Sequence, residues 1–141
     1  MILQAFTDGA SRGNPGESGI GLVVRSEDGA VLISESGYIG QATNNVAEYT
    51  ALLTLLDRAR SLPCTKLIIH SDSELMVRQM SGSYKVKNPG LKEYFRKARE
   101  AVAAMPCAVE IVHVPREKNR EADRLANLGI DERTRISVPA V

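Results

Sequence analysis

Residues 66–72 read KLIIHSD, a short apolar run that stops at a carboxylate. Leu67-Ile68-Ile69 lacks the alternation of a half-exposed strand, which fits a central strand buried on both faces. The pattern occurs once more, at the start of the chain. MILQAFTDG (1–9) reads as a buried strand ending at Asp8-Gly9. If these two strands lie side by side and run the same way, Asp8 and Asp72 stand together at their C-terminal ends. That is where ligands gather in open α/β sheets.

Working outward, SRGNPGESG (11–19) is a Gly/Pro/Asn cluster that reads as a loop. IGLVVRSEDGAVLISESGYIG (20–40) is two strand-like runs around a Ser-Glu-Asp-Gly turn, hence a hairpin. The first three strands are therefore expected to form an antiparallel meander. After Thr43 the period becomes helical, with Ala47, Ala51, Leu52, Leu55, Leu56 and Ala59 three and four apart; Thr43 or Asn44 is the N-cap and Pro63 closes the segment. Beyond KLIIHSD come a short helix, SELMVRQMSG, stopped by Gly82, a basic connection, SYKVKNPG, and an amphipathic helix, LKEYFRKAREAVAAMP, ended at Pro106. AVEIVHVP is the fifth strand, REKN a loop, and READRLANLG a last helix with Gly129 as its stop signal. Three strands, a helix, a strand, helices, a strand and a helix make an α/β domain, a mixed sheet with helices on its faces. The expected domain is 1–129, with a tail from 130 to 141 whose Ile136, Val138 and Val141 either dock or stay disordered.

A chain of 141 residues needs no second domain, and 43% hydrophobic with 25% charged residues suggests neither disorder nor a fibre. No apolar run approaches a membrane span, and MILQAF lacks a secretion signal's basic flank and apolar core, so a cytoplasmic protein is expected; no obligate protein partner is evident, and a monomer is expected. The net charge of +1 hides an uneven distribution. Residues 78–99 hold seven Lys or Arg against one acid, whereas residues 1–77 hold five bases and nine acids. A basic stretch beside an acidic half suits phosphate at one edge and cations at another; a solvated helix face is the plainer account. Cys64 and Cys107 each precede an apolar strand. If those strands are parallel neighbours, a disulfide is sterically open, which in a cytosolic protein would point to a thermophilic source; two buried free thiols are the alternative.

Four acids fall on separate elements: Asp8 and Asp72 at strand ends, Glu48 early in the first long helix, and Asp123 in the last helix. Each alone has an ordinary explanation as a turn, cap or ion-pair residue. Taken together they would repel unless a cation lay between them. Oxygen ligands with no nearby cysteine favour Mg²⁺, or Mn²⁺, over zinc.

FTDGASRGNPG, TNNVAEYTAL, HSDSELMVRQMSG, YKVKNP and VPREKNREADRLAN resemble, in order, the successive motifs of type 1 ribonuclease H, over nearly all of residues 1–129. The resemblance implies a ribonuclease H-like fold with a five-stranded mixed sheet. It makes Asp8, Glu48, Asp72 and Asp123 the metal-binding, catalytic acids. It also implies two-metal hydrolysis of the RNA strand of RNA/DNA hybrids, leaving 5′-phosphate and 3′-hydroxyl ends. By the same resemblance Asn14, Asn44 and Asn45 read 2′-hydroxyls and bases in the minor groove, and Thr43 meets a DNA phosphate. An amide both donates to and accepts from a 2′-hydroxyl, so it senses RNA where DNA offers nothing.

The chain departs from the family pattern in four places. Val46 stands where many members carry arginine, and Glu74 where glutamine often follows Asp-Ser. The long basic protrusion of the bacterial type is absent, which shifts hybrid binding to Lys85, Lys87 and the helix with Lys92, Arg96 and Arg99. The loop before the last helix, Arg116-Glu117-Lys118-Asn119, has no histidine, so Arg116 or Lys118 is expected to act on the product phosphate. Because each stays protonated at neutral pH, neither serves as a general base. His70 and His113 are expected to be hydrogen-bonded structural residues. Two rival functions remain: a non-catalytic nucleic-acid-binding module, which loss of any of the four acids would favour, and a DNA-cutting relative, against which the amides argue.

Overall fold

The computed structural model describes all 141 residues. Its first two strands, β1 (Ile2–Gly13) and β2 (Gly16–Arg25), are separated only by Asn14 and Pro15. Most of the segment read as a loop is thus strand, a correction with a simple cause. Gly and Pro mark where a turn falls but not how long it is. Here Ala10 to Gly13 stay in antiparallel register with Gly16 to Gly19, because ladder pairing uses backbone groups that every non-proline residue has. A φ of 104° at Gly13 lets the chain reverse so tightly.

β3 (Val31–Ala42) completes the antiparallel meander, and β4 (Lys66–Ser71) and β5 (Ala108–His113) follow in parallel on the other side. The sheet order is β3-β2-β1-β4-β5, the mixed five-stranded sheet expected from the sequence. The helices are α1 (Asn44–Ala59), α2 (Glu74–Met80), α3 (Pro89–Ala103) and α4 (Arg120–Glu132). No helix is long and apolar enough to cross a membrane.

Strand alternation splits the sheet into two faces. Leu3, Ala5, Ile20, Leu22, Val24, Leu67 and Ile69 point to one, where they pack with Leu52, Leu55 and Leu56 of α1 and Leu91 and Ala98 of α3. Each fully buried leucine or isoleucine there contributes about 1.5–3 kcal/mol. Thr43 caps α1, its Oγ1 accepting from the Val46 N–H at 3.2 Å, and Tyr49 donates to Gln79 Oε1 at 2.6 Å, tying α1 to α2.

The opposite face carries α4, which comes close to the sheet backbone at glycines. A Cβ on Gly21 would lie 2.2 Å from the Ala122 carbonyl oxygen and 2.7 Å from the Ala126 nitrogen. Gly21→Ala is therefore expected to cost about 1–3 kcal/mol of stability. An unchanged urea midpoint would show that α4 does not need this close approach. Gly129 belongs to the same contact, not to a helix stop: its Cβ would meet the Gly37 carbonyl oxygen at 2.4 Å. The helix runs on to Glu132 and ends at Arg133, whose φ of 48° is left-handed.

The tail docks at its start. Thr134 O accepts from Tyr38 N at 2.8 Å, Arg58 Nη2 donates to Ser137 O at 2.6 Å, and Ile136 lies against Gly37. Val138 and Val141 stay exposed. Cys64 and Cys107 form a disulfide, with Cα atoms 5.9 Å apart. The parallel register that sets Lys66 beside Ala108 brings the two residues before these strands to one end of the sheet.

Candidate active site

The parallel pairing of β1 and β4 ends at Thr7 and Ser71, so Asp8 and Asp72 are the first residues beyond it. β1 continues along β2 while β4 turns away towards α2, and a cleft opens between them. Alternation turns Asp8 to the α4 face and Gly9 to the α1 face. Gly9 is what admits α1: a Cβ there would sit 2.3 Å from the Ala47 carbonyl carbon and 2.5 Å from the Glu48 nitrogen. With α1 this close, the Gly9 N–H donates to Glu48 Oε1 at 2.8 Å, and the glutamate side chain is aimed into the cleft.

One carboxylate oxygen each from Asp8, Glu48 and Asp72 lies within 4.8 Å of the others. Asp123 comes from α4 to the same cleft, which encloses about 470 Å³ and is also lined by Ser11, Arg12, Asn44, His113, Arg116 and Asn127. Burial, then the charges of Glu48 and Asp72, with Asp123 adding to them, push the Asp8 carboxyl up to about 10. Glu48 is raised to about 8 by burial and by Asp72, against the opposing hydrogen bond from Gly9. Three carboxylates pressed together at this cost are stable as anions only around a cation. A donor set made wholly of carboxylate oxygens fits a hard divalent ion.

The other expected site residues divide. Asn44 and Arg116 line the acid cleft, Arg116 Nη2 standing 3.7 Å from Asp123 Oδ1. Asn14 Oδ1 accepts from the Asn44 N–H at 3.0 Å, which couples the β1–β2 turn to the start of α1 and leaves the Asn14 NH₂ free. Asn45 is half-buried in the first turn of α1, and Thr43 has its oxygen engaged as the cap. Lys85 and Lys87 are exposed on the α2–α3 connection, outside the cleft.

Two expectations need correcting. Arg96 is not free for phosphate, since it bridges Glu93 and Glu100 at 2.7 Å each, and Arg99 donates to the Met80 carbonyl at 3.1 Å. Helical spacing of three and four set the acids beside Arg96, a neutralisation that counting charges along the chain does not reveal. His70 is structural, with Nδ1 2.9 Å from Ala5 O and its ring stacked on Phe6, but His113 is exposed at the cleft wall.

Sequence reading passed over Arg12, Asn119 and Asn127. Asn119 is buried, and its Nδ2 donates to the Thr7 carbonyl at 2.8 Å, fixing the start of α4 to the residue before Asp8. Asn127 and Arg12 touch the Asp123 side of the cleft through hydrogen bonds. Only the four-residue spacing of Asp123 and Asn127 on one helix could have flagged either of the last two.

Sheet order and cleft together define the ribonuclease H-like class of α/β domain. The family described as Reverse transcriptase-like matches residues 6–129. The chain is 38% identical over 130 residues to Ribonuclease HI of Halobacterium salinarum, covering 92% of this chain and 65% of that protein. The crystal structure of RNase H1 from the same archaeon superposes with a TM-score of 0.88, covering 94% of this chain and 99% of that one. LC11-RNase H1, isolated from compost by a metagenomic approach and solved in complex with an RNA/DNA hybrid, is 46% identical. It has a TM-score of 0.86 and coverage of 92% of this chain and 97% of that one. The chain is also 46% identical over 132 residues to the Bifunctional protein Rv2228c of Mycobacterium tuberculosis, covering 93% of this chain but spanning about a third (35%) of that protein's length. The chain belongs to the type 1 ribonuclease H family.

Proposed function

We propose that the protein is an endonuclease that hydrolyses the RNA strand of RNA/DNA hybrids, acting as a cytoplasmic monomer. The observation that carries this reading is the convergence of Asp8, Glu48 and Asp72 within 4.8 Å at the end of the central parallel strands. Asp8, Glu48, Asp72 and Asp123 would hold two Mg²⁺ ions, or Mn²⁺, with substrate bound. Bound there, the ions would lower the pKa of an attacking water and offset the charge of the leaving 3′ oxygen, so that 5′-phosphate and 3′-hydroxyl ends result.

The protein's own part is positioning and electrostatics. Its carboxylates supply a fixed anionic frame, Glu48 being locked by the Gly9 N–H. The free NH₂ of Asn14, with Asn44 and Asn45, presents donors and acceptors suited to 2′-hydroxyls, which DNA lacks. Thr43 can still donate its hydroxyl proton to a phosphate. Arg116, largely exposed beside Asp123, is placed to hold the cleaved phosphate as a cation. With Arg96 and Arg99 engaged within the fold, Lys85 and Lys87 carry phosphate contact outside the cleft.

The deciding assay follows an end-labelled RNA strand paired with DNA, in Mg²⁺ and in Mn²⁺, beside duplex DNA and single-stranded RNA. Cutting confined to the hybrid and abolished by chelation is expected. Binding without cutting in either ion would overturn the nuclease reading in favour of a binding module. In the same system Lys85→Ala/Lys87→Ala is expected to weaken hybrid binding and to reduce the slope of log K against log[salt] by roughly 1 to 2. An unchanged slope would remove both lysines from the interface.

A further inference from the structure

Asp123 stands apart from the other three acids. It lies outside the tight trio, and its side chain is 28% exposed on the first turn of α4. Its carboxylate is nevertheless held, and from an unexpected direction. Asn127, one turn further along α4, donates from Nδ2 to the Asp123 carbonyl at 3.0 Å and to Asp123 Oδ1 at 3.3 Å. Arg12, near the end of β1, donates from Nη2 to Asn127 Oδ1 at 3.2 Å. The other branch of the guanidinium pairs with Asp131 Oδ1 at 2.5 Å.

The direction of this chain of bonds is unambiguous. Arginine can only donate, so the amide must turn its oxygen to Arg12 and its NH₂ to Asp123. A neutral amide between guanidinium and carboxylate passes on orientation while keeping the cation from pairing with the acid directly. Asp131 gives Arg12 a separate partner and holds it in place. Arg12 and Asp8 also stand on the same strand, so the link ties Asp123 to the strand that bears the central acid of the trio.

We propose that Asn127, oriented by Arg12, is a positioning residue that fixes the Asp123 carboxylate for divalent-cation binding. This rests on the nuclease reading for its purpose, but not for its test. Partners that orient ligating side chains typically change metal affinity by 10–100-fold when removed.

The experiment is calorimetric titration of the full chain with Mn²⁺ alone, for the wild type, Asn127→Ala, Arg12→Met and the double variant. Asn127→Ala is expected to weaken Mn²⁺ binding by about tenfold. Arg12→Met should weaken it less, and the double variant no more than Asn127→Ala alone, since both residues act through one link. In hybrid cleavage the Mn²⁺ concentration for half-maximal rate should rise in step, with KM for the hybrid unchanged. A merely structural role would lower the melting temperature and leave the Mn²⁺ titration where it was, which would overturn the proposal. So would additive effects in the double variant. Should Asn127→Ala fail to fold, Arg12→Met, on an exposed side chain, still gives the decision by its own shift in Mn²⁺ affinity. A wild type that binds Mn²⁺ without cutting the hybrid would overturn the nuclease reading and leave the positioning result standing. A wild type that cuts, with variants unchanged in Mn²⁺ affinity, would do the reverse.

Discussion

Asp8→Asn is expected to reduce hybrid cleavage by at least about a thousandfold, about 4 kcal/mol at 1.36 kcal/mol per tenfold, while raising the melting temperature of the metal-free protein. Both effects have one origin. Asp8 is buried between Glu48 and Asp72, and its carboxyl is pushed up to about 10 from an ordinary 3.8. Below about pH 4 the folded and unfolded chains both hold this proton, and the group contributes nothing to stability. As pH climbs from there to about 10 the unfolded chain has released the proton while the folded one retains it. The folded state then binds more protons, so stability falls as pH rises through this window. Glu48, raised to about 8, adds a loss of the same sign from about pH 4.5 to 8. Asparagine fills nearly the same space without a charge and relieves both residues.

Melting curves in chelator from pH 5 to pH 9 check this directly. The wild type should lose stability steadily, the variant less, with the gap widening upward. Added Mg²⁺ should raise the wild-type midpoint and leave Asp8→Asn nearly unmoved, because the cation offsets a repulsion that the variant no longer has. A variant less stable than the wild type in chelator at pH 8 would show that the acids are not in mutual conflict. Retained cleavage would remove Asp8 from the chemistry.

Loss of the Cys64–Cys107 disulfide is expected to lower stability by roughly 4 kcal/mol, the chain-entropy value for a loop closed across a sequence separation of 43 residues. β5 is an edge strand whose only ladder partner is β4, so the bond staples the outermost element to the sheet. It does so at the far end from the acids: Cys64 precedes β4 and Asp72 follows it, about 20 Å apart for a strand of this length. Denaturant titration of the Cys64→Ser/Cys107→Ser variant, or of the wild type with reductant, should therefore show a lowered midpoint. Cleavage well below melting should be unaffected. A loss under about 1 kcal/mol would mean that packing of Val109 and Ile111 alone holds the edge.

The division between sequence and structure follows from the range of the forces involved. KLIIHSD and MILQAFTDG disclosed two apolar strands, each with an acid just past its apolar run, because the apolar pattern is a local record of burial. The change to helical spacing after Thr43 and the glycines and prolines between elements placed the helices for the same reason. The four acids were visible through their place in five ordered motifs. The extension of β1 and β2 to a two-residue turn escaped notice, since backbone pairing leaves little mark on side-chain type. Gly129 was misread as a stop because its cause, the Gly37 backbone, lies on a distant strand.

The same holds at the cleft. The basic count over 78–99 could not tell that Arg96 is neutralised across turns of its own helix. No local pattern shows Arg12 reaching Asn127, residues 115 apart in the chain. Sequence by itself determined the order of the elements and the family motifs with the four acids they carry, all properties of neighbours along the chain. Only the tertiary structure decided which charges are free, which glycines are contacts and how Asp123 is held, because hydrogen bonds and close packing act over a few ångströms of space irrespective of separation along the chain.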